Sequence, residues 1–140
     1  MFRAAFDRGV RWLDGLGGAP WLLRLLIAAM FLESGIDKVL NRSTYLSDVT
    51  AHHVPLPAVS LTLVTLVELG GGVAVLLGLA VVPALVALGL YTLVVNFVYF
   101  EFWAQPMPGA VMARKEFLKN LAVVGGLWIW ALTAWKARRV

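Results

Sequence analysis

The sequence contains no cysteine, which excludes disulfides, thiolate metal sites and Cys-x-x-Cys redox chemistry. Charge is scarce too: only 14% of the 140 residues are Asp, Glu, Lys or Arg, against about 25% in soluble domains. Histidine occurs only as the adjacent pair His52 and His53 in "TAHHVPLP". Neighbouring histidines without a nearby third ligand are ordinary loop residues, so no metal site is expected. Neither a serine nucleophile motif nor a nucleotide or flavin fingerprint is present, and no histidine pair suits haem. The chain brings no redox group of its own. We therefore assign no catalytic residue and do not expect a stand-alone enzyme.

What the sequence has in quantity is apolar surface. Hydrophobic residues make up 61% of the chain and come in long blocks, not amphipathic stripes. They cannot all face one compact core, so the fold class expected is an all-α integral membrane protein with the lipid bilayer as its first partner. The formal charge of +4 lies in short clusters flanking the apolar blocks. Membrane proteins keep their basic residues there, and no nucleic-acid partner is expected.

About 20 apolar residues cross the hydrocarbon core as a helix. Residues 19–140 read as a four-helix transmembrane domain, with helices at about 20–40, 56–79, 83–103 and 116–135. The run from 56 to 103 is too long for one span, so "GLAVVP" (78–83) must hold a tight hairpin. Pro83 suits the first turn of the helix that follows. Residues 1–18 place Phe2, Phe6, Val10 and Leu13 on one helical face and mostly charged residues on the other. That pattern predicts an amphipathic helix lying in the interface. Basic residues at both ends of the chain (Arg3, Arg8 and Arg11; Lys136, Arg138 and Arg139) predict that both termini are cytoplasmic.

The intramembrane polar residues then fall in the outer half of the bilayer. "FLESGIDKVL" (31–40) brings Glu33, Asp37 and Lys38 to the first span. Glu68 lies mid-way along the second, Asn96 in the third, and Lys119 with Asn120 in the fourth. Ionisable residues at depth are costly and usually functional. We therefore expect these seven residues to form one outward-opening polar ligand site. The alternative is that they act only as interhelical glue. Glycines at 70–72, 78, 125 and 126 read as helix-packing positions, not a phosphate loop. "NRS" (41–43) matches a glycosylation sequon, to which we attach no role.

Taken together, "RLLIAAMFLESGIDKVL", "VPLPA", "VELGGGVAVLLGL", "FLKNLAVVGGLW" and, more weakly, "YFEFW" resemble the DoxX family of small four-helix bacterial membrane proteins. The chain departs from that family's pattern at Phe100, where a histidine is frequent, and in "LAVV", where a polar or basic residue is usual. The resemblance implies a bacterial inner-membrane location and an accessory role in a membrane redox system with a partner protein. It carries over Glu33, Lys38, Glu68, Lys119 and Asn120 as the matching polar positions. On that reading the site takes a quinone or similar lipophilic carrier, no covalent cofactor is expected, and electrons come from the partner. Two other readings stand beside it: a small proton-coupled transporter of a polar or zwitterionic solute, with Glu33 as the coupling acid, and a non-catalytic scaffold. The broad lateral faces of four short helices also allow a homo-oligomer.

Overall fold

The computed structural model describes residues 19–137, so the expected interfacial helix at 1–18 lies outside the described residues. Among the described residues every regular element is a helix. These are α1 (Ala19–Leu40), α2 (Arg42–Ala51), α3 (Pro57–Leu77), α4 (Val81–Tyr99) and α5 (Gly109–Ala137). Three of them, α3, α4 and α5, are long and apolar enough to cross a membrane. α1 is 22 residues long but carries Arg24, Glu33, Asp37 and Lys38.

The expected boundaries shift for identifiable reasons. The third expected helix stops at Tyr99, not 103, because Pro106 and Pro108 follow closely and Phe97, Phe102 and Trp103 each make an edge contact with Phe117. The fourth begins at Gly109, not 116, immediately after Pro108. Its charged first turns Arg114, Lys115 and Glu116 look extramembrane in sequence. They are nevertheless helical, since 29 residues rise about 43 Å and overrun a hydrocarbon core of about 30 Å. The segment 42–51, expected as a loop, is the helix α2. Its first residue is anchored to the start of α3: the Arg42 guanidinium donates to Thr62 Oγ1 at 2.8 Å and to the Ala58 carbonyl at 3.3 Å.

The hairpin in "GLAVVP" forms as expected, by a Schellman ending. Gly78 sits in the left-handed region at φ 74°. Its N–H donates to the Val75 carbonyl, and the Leu79 N–H donates to that of Ala74. The hairpin's missing polar residue comes from elsewhere, because the Arg24 guanidinium of α1 lies over Gly78, at the negative end of α3.

α1 packs on α3, α3 on α4, and α4 on α5, while α2, which joins the C-terminal end of α1 to the N-terminal end of α3, packs on both. Hydrophobicity alone does not say which face of these helices turns inward, since they are apolar nearly all round. Small and polar residues mark it. The buried stripe of α3 is Leu61, Thr65, Glu68, Gly72 and Val75; that of α4 includes Leu85, Leu88, Gly89, Thr92 and Asn96. A Cβ on Gly35 would meet Leu69, one on Gly72 would meet Leu32, and one on Gly71 would meet Leu88. Gly72 thus lets α3 approach α1 and Gly71 lets it approach α4, while Gly70 faces open space. Phe31, Val75, Leu85, Leu88 and Leu127 fill the centre.

Candidate functional site

Glu68 is the most enclosed ionisable group described, 1% exposed on the inner stripe of α3. α1 brings two partners to it from consecutive turns. Ser34 Oγ donates to Glu68 Oε1 at 2.8 Å, and Lys38 Nζ donates to the same oxygen at 3.1 Å and to Ser34 Oγ at 2.6 Å. From α4, the Tyr91 hydroxyl donates to Oε1 at 2.6 Å. The second carboxylate oxygen, Oε2, lies 3.0 Å from Lys38 Nζ. It is buried yet accepts no hydrogen bond. We read the contact as electrostatic, because Nζ is within ion-pair distance but off the direction along which Oε2 accepts. Both side chains of the pair are nearly enclosed, at 11% and 2% exposure. In such surroundings a charge requires a close counter-charge and further hydrogen bonds.

A second layer lies at the rim. The Tyr45 hydroxyl of α2 donates to Asp37 Oδ2 at 2.5 Å, and Asn41 donates to Asp37 Oδ1 at 2.6 Å. Lys38 Nζ stands 5.1 Å from the centre of the Tyr45 ring, in cation–π range. The hydrogen bond to Asp37, with partial burial, pushes the Tyr45 phenol up to about 12, so at neutral pH it remains a hydroxyl donor. Farther out, the His52 ring stacks on Tyr99 at 4.2 Å and so ties the end of α2 to the end of α4.

Under α2, between α3 and α4, lies a cavity of about 240 Å³. Lys38, Tyr45, Tyr91 and Ser60 give it polar points, while Leu61, Val64, Val94, Val95 and Val98 make most of its wall. Glu68 stands behind Lys38 and Tyr91. A larger space of about 420 Å³ opens between the N-terminal part of α4 and the C-terminal part of α5. It is lined by Val82, Val86, Trp128, Ala131, Leu132 and Trp135, and no titratable group reaches it. The titratable groups gather at the smaller cavity, under α2.

The seven residues expected to share a site therefore separate. Lys38 and Glu68 form its centre, and Asp37 its rim. Asn96 and Asn120 meet elsewhere, between α4 and α5. Asn120 Nδ2 donates to Asn96 Oδ1 at 3.2 Å, and Asn96 Nδ2 donates to the Phe117 carbonyl at 3.0 Å. Glu33 is exposed on the outer face of α1. Lys119, with its side chain 62% exposed, pairs with Glu116 on its own helix. Sequence reasoning did not include Ser34, Tyr91 or Tyr45 among the candidate site residues. A signal for Tyr91 was available: it is the one hydroxyl-bearing aromatic in the middle of the third apolar block, and such a tip seeks a partner when buried. Tyr45 falls between the first two expected helices, where no element was expected.

An apolar helical bundle with buried ion pairing defines a membrane protein with a polar site built between its helices. The family model for DoxX matches residues 19–101 of this chain, and the chain belongs to the DoxX family. The matched stretch takes in α1 to α4, and with them the whole Lys38–Glu68–Tyr91 cluster and its cavity; it ends before α5 and the Asn120 partner of Asn96. No curated protein and no solved structure matches the chain.

Proposed function

We propose that this DoxX protein is a four-span protein of the bacterial inner membrane, both termini cytoplasmic, whose outer cavity receives a quinone or similar lipophilic carrier for a redox partner. The fourth span in this reading is α1, with Arg24 near its cytoplasmic end and Glu33, Asp37 and Lys38 toward the outer one. The observation that carries the reading is the mixed character of the cavity: valine walls with a buried ammonium and a phenol at one end. Valine walls suit a flat apolar ring, and Lys38, with a third N–H beyond those given to Ser34 and Glu68, is the donor placed to meet a ring oxygen, while the single O–H of Tyr91 is held by Glu68. A volume of about 240 Å³ lies just under the usual range for small-molecule sites, about 300 to 1,000 Å³. It matches a headgroup whose tail leaves between helices into lipid.

In this arrangement Glu68 acts by positioning. It anchors Lys38 Nζ and takes the Tyr91 hydroxyl hydrogen, so the ammonium is held in place before a ligand arrives. The rim pair Asp37–Tyr45 holds α2 over the opening and keeps water from the site. A quinone, when bound, supplies the electron and proton acceptance that the protein's own side chains lack. With no cysteine in the chain, a partner protein delivers the electrons.

The test is extraction in mild detergent followed by mass spectrometry and ultraviolet difference spectra of what co-purifies. We expect quinone near one equivalent, falling at least tenfold in Lys38→Ala and in Tyr91→Phe, with the protein still monodisperse. A preparation free of quinone that moves a solute across liposomes in a Glu68-dependent way would overturn the redox reading and make this a transporter.

A further inference from the structure

The larger space, between α4 and α5, has no role in the quinone site. It is a groove with the first turns of α4 on one side and the last turns of α5 on the other. Val82 and Val86 stand four residues apart on α4, while Trp128, Ala131, Leu132 and Trp135 follow the helical repeat along α5. From Trp128 to Trp135 the groove runs about 10 Å along the helix. Two residues hollow it. Ala131 is small and buried, and Gly89 admits the Trp128 ring against the α4 backbone, where a Cβ would collide with the indole nitrogen. Val86, Leu132 and Trp135 are partly exposed, so one side of the groove is open.

We propose that this groove seats an acyl chain of an anionic phospholipid, whose phosphate lies at Lys136. The inference needs only that α4 and α5 cross the bilayer, for which both are long and apolar enough. Charge names the occupant. Lys136 is exposed and stands four residues beyond Leu132, so it continues the wall of the groove past its end. Among the described residues it makes no ion pair. The sequence adds Arg138 and Arg139 directly after it. Arg24 lies at the same end of the bundle, over the Gly78 hairpin that leads into α4. No acid among the described residues answers these cations there. The chain has no Asp or Glu from 15 to 32, from 69 to 100, or after 116, and those stretches supply every described element at this end. Cations gathered at the end of an apolar bundle attract the phosphate of an anionic headgroup. Trp135 marks the boundary between head and tail, where membrane proteins place aromatic rings. A neutral lipid suits the groove but not the cations, and a soluble anion suits the cations but not the groove. An anionic phospholipid suits both.

Two of the six tryptophans line the groove and can report on its occupant. Phe is placed at Trp12, Trp21, Trp103 and Trp130, and this chain is reconstituted in phosphatidylcholine vesicles. Phosphatidylglycerol or phosphatidylcholine with brominated chains is included at equal mole fraction, since bromine quenches indole fluorescence on contact. We expect the anionic lipid to quench at least twofold more strongly. Lys136→Gln with Arg138→Gln and Arg139→Gln should abolish that preference, and Val86→Phe, which fills the groove, should reduce it at least twofold. Equal quenching by the two lipids before any further substitution would overturn the proposal and leave bulk lipid as the occupant. Quenching by neither would overturn it in favour of a protein segment covering the groove. A preference lost on neutralisation but unmoved by Val86→Phe would overturn the acyl-chain seat, because the basic tail alone would then gather anionic lipid. Native mass spectrometry of the unmodified chain tests the same point without the four Phe replacements. One phosphatidylglycerol should survive activation that strips phosphatidylcholine, and loss of both at the same energy would overturn the proposal.

Discussion

The junction of α1, α3 and α4 and the junction of α4 and α5 both bury polar side chains in an apolar bundle, in opposite ways. At the first, one carboxylate gathers Ser34, Lys38 and Tyr91 onto a single oxygen and leaves the other without a hydrogen bond, beside a cavity. At the second, two amides close on each other and on the Phe117 carbonyl. Amides crossing between membrane helices are sufficient as glue, worth roughly 0.6 to 2 kcal/mol. A buried ion pair is a poor choice for glue, since hydrophobic residues of the same volume are often as stabilising. The difference teaches that depth and polarity alone do not identify a site. An over-coordinated charge beside an apolar cavity is the stronger candidate of the two.

The strongest way to break this comparison is Lys38→Met. It leaves the Glu68 carboxylate buried without its cation, and removing one partner of a buried pair costs roughly 3 to 5 kcal/mol. We expect the largest drop in Tm of any substitution considered, measured by thermal unfolding in mild detergent. Glu68→Gln should cost less, because the amide oxygen still accepts from Ser34 and Tyr91. The double variant Lys38→Met with Glu68→Met should regain most of the lost stability while the cavity no longer holds a ligand. A Lys38→Met protein as stable as the parent would show that the pair is not formed in the membrane.

The amide clamp should respond more mildly. Asn96→Leu or Asn120→Leu leaves one buried amide group unpaired, at a cost of about 1 to 2 kcal/mol. Replacing both should cost less than the sum, as expected for residues in contact. Ligand occupancy in either single variant should stay within twofold of the parent, read by the same co-purification assay. Occupancy that fell in parallel with Lys38→Ala would merge the two clusters into one site and remove the distinction drawn here.

Most of the architecture is legible because bilayer thickness fixes helix length. The runs near 20–40 and 56–79 emerge within a few residues of α1 and α3, and the uncharged hairpin forms where Gly78 permits a positive φ. Boundaries fail where polarity and helicity part company, as at α2 and in the charged first turns of α5. Of the cluster around Glu68, the sequence reading named Lys38, Glu68 and Asp37, but not Ser34, Tyr91 or Tyr45, and it added four residues that lie elsewhere. Glu33 and Lys38 lie five residues apart and so project differently, one to the outside and one to Glu68; choosing between them requires knowing which face of α1 meets α3. Gly35 holds that information, since it sits on the buried face against Leu69. Small residues are thus a better guide to the inner face than the charges are.

The smallest effect expected, and the one that sharpens the comparison most finely, is at Tyr45. Tyr45→Phe removes the hydroxyl that donates to Asp37 but keeps the ring that faces Lys38. If the rim serves mainly to hold the ring over the ammonium, Tm should fall by no more than about 2 °C and ligand occupancy should hold. Tyr45→Leu, which removes ring and hydroxyl together, should lower occupancy severalfold. Alkaline titration separates the two contributions. The phenol is pushed from its ordinary value near 10 up to about 12 in the folded protein. Its stabilising hydrogen bond is therefore fully present below pH 10 and is lost as pH rises from 10 toward 12. The parent should lose stability across that window relative to Tyr45→Phe, so the two unfolding curves should converge at the alkaline end. Curves that stay parallel would mean that the Asp37 bond contributes nothing, leaving the ring over Lys38 as the rim's only hold on the site.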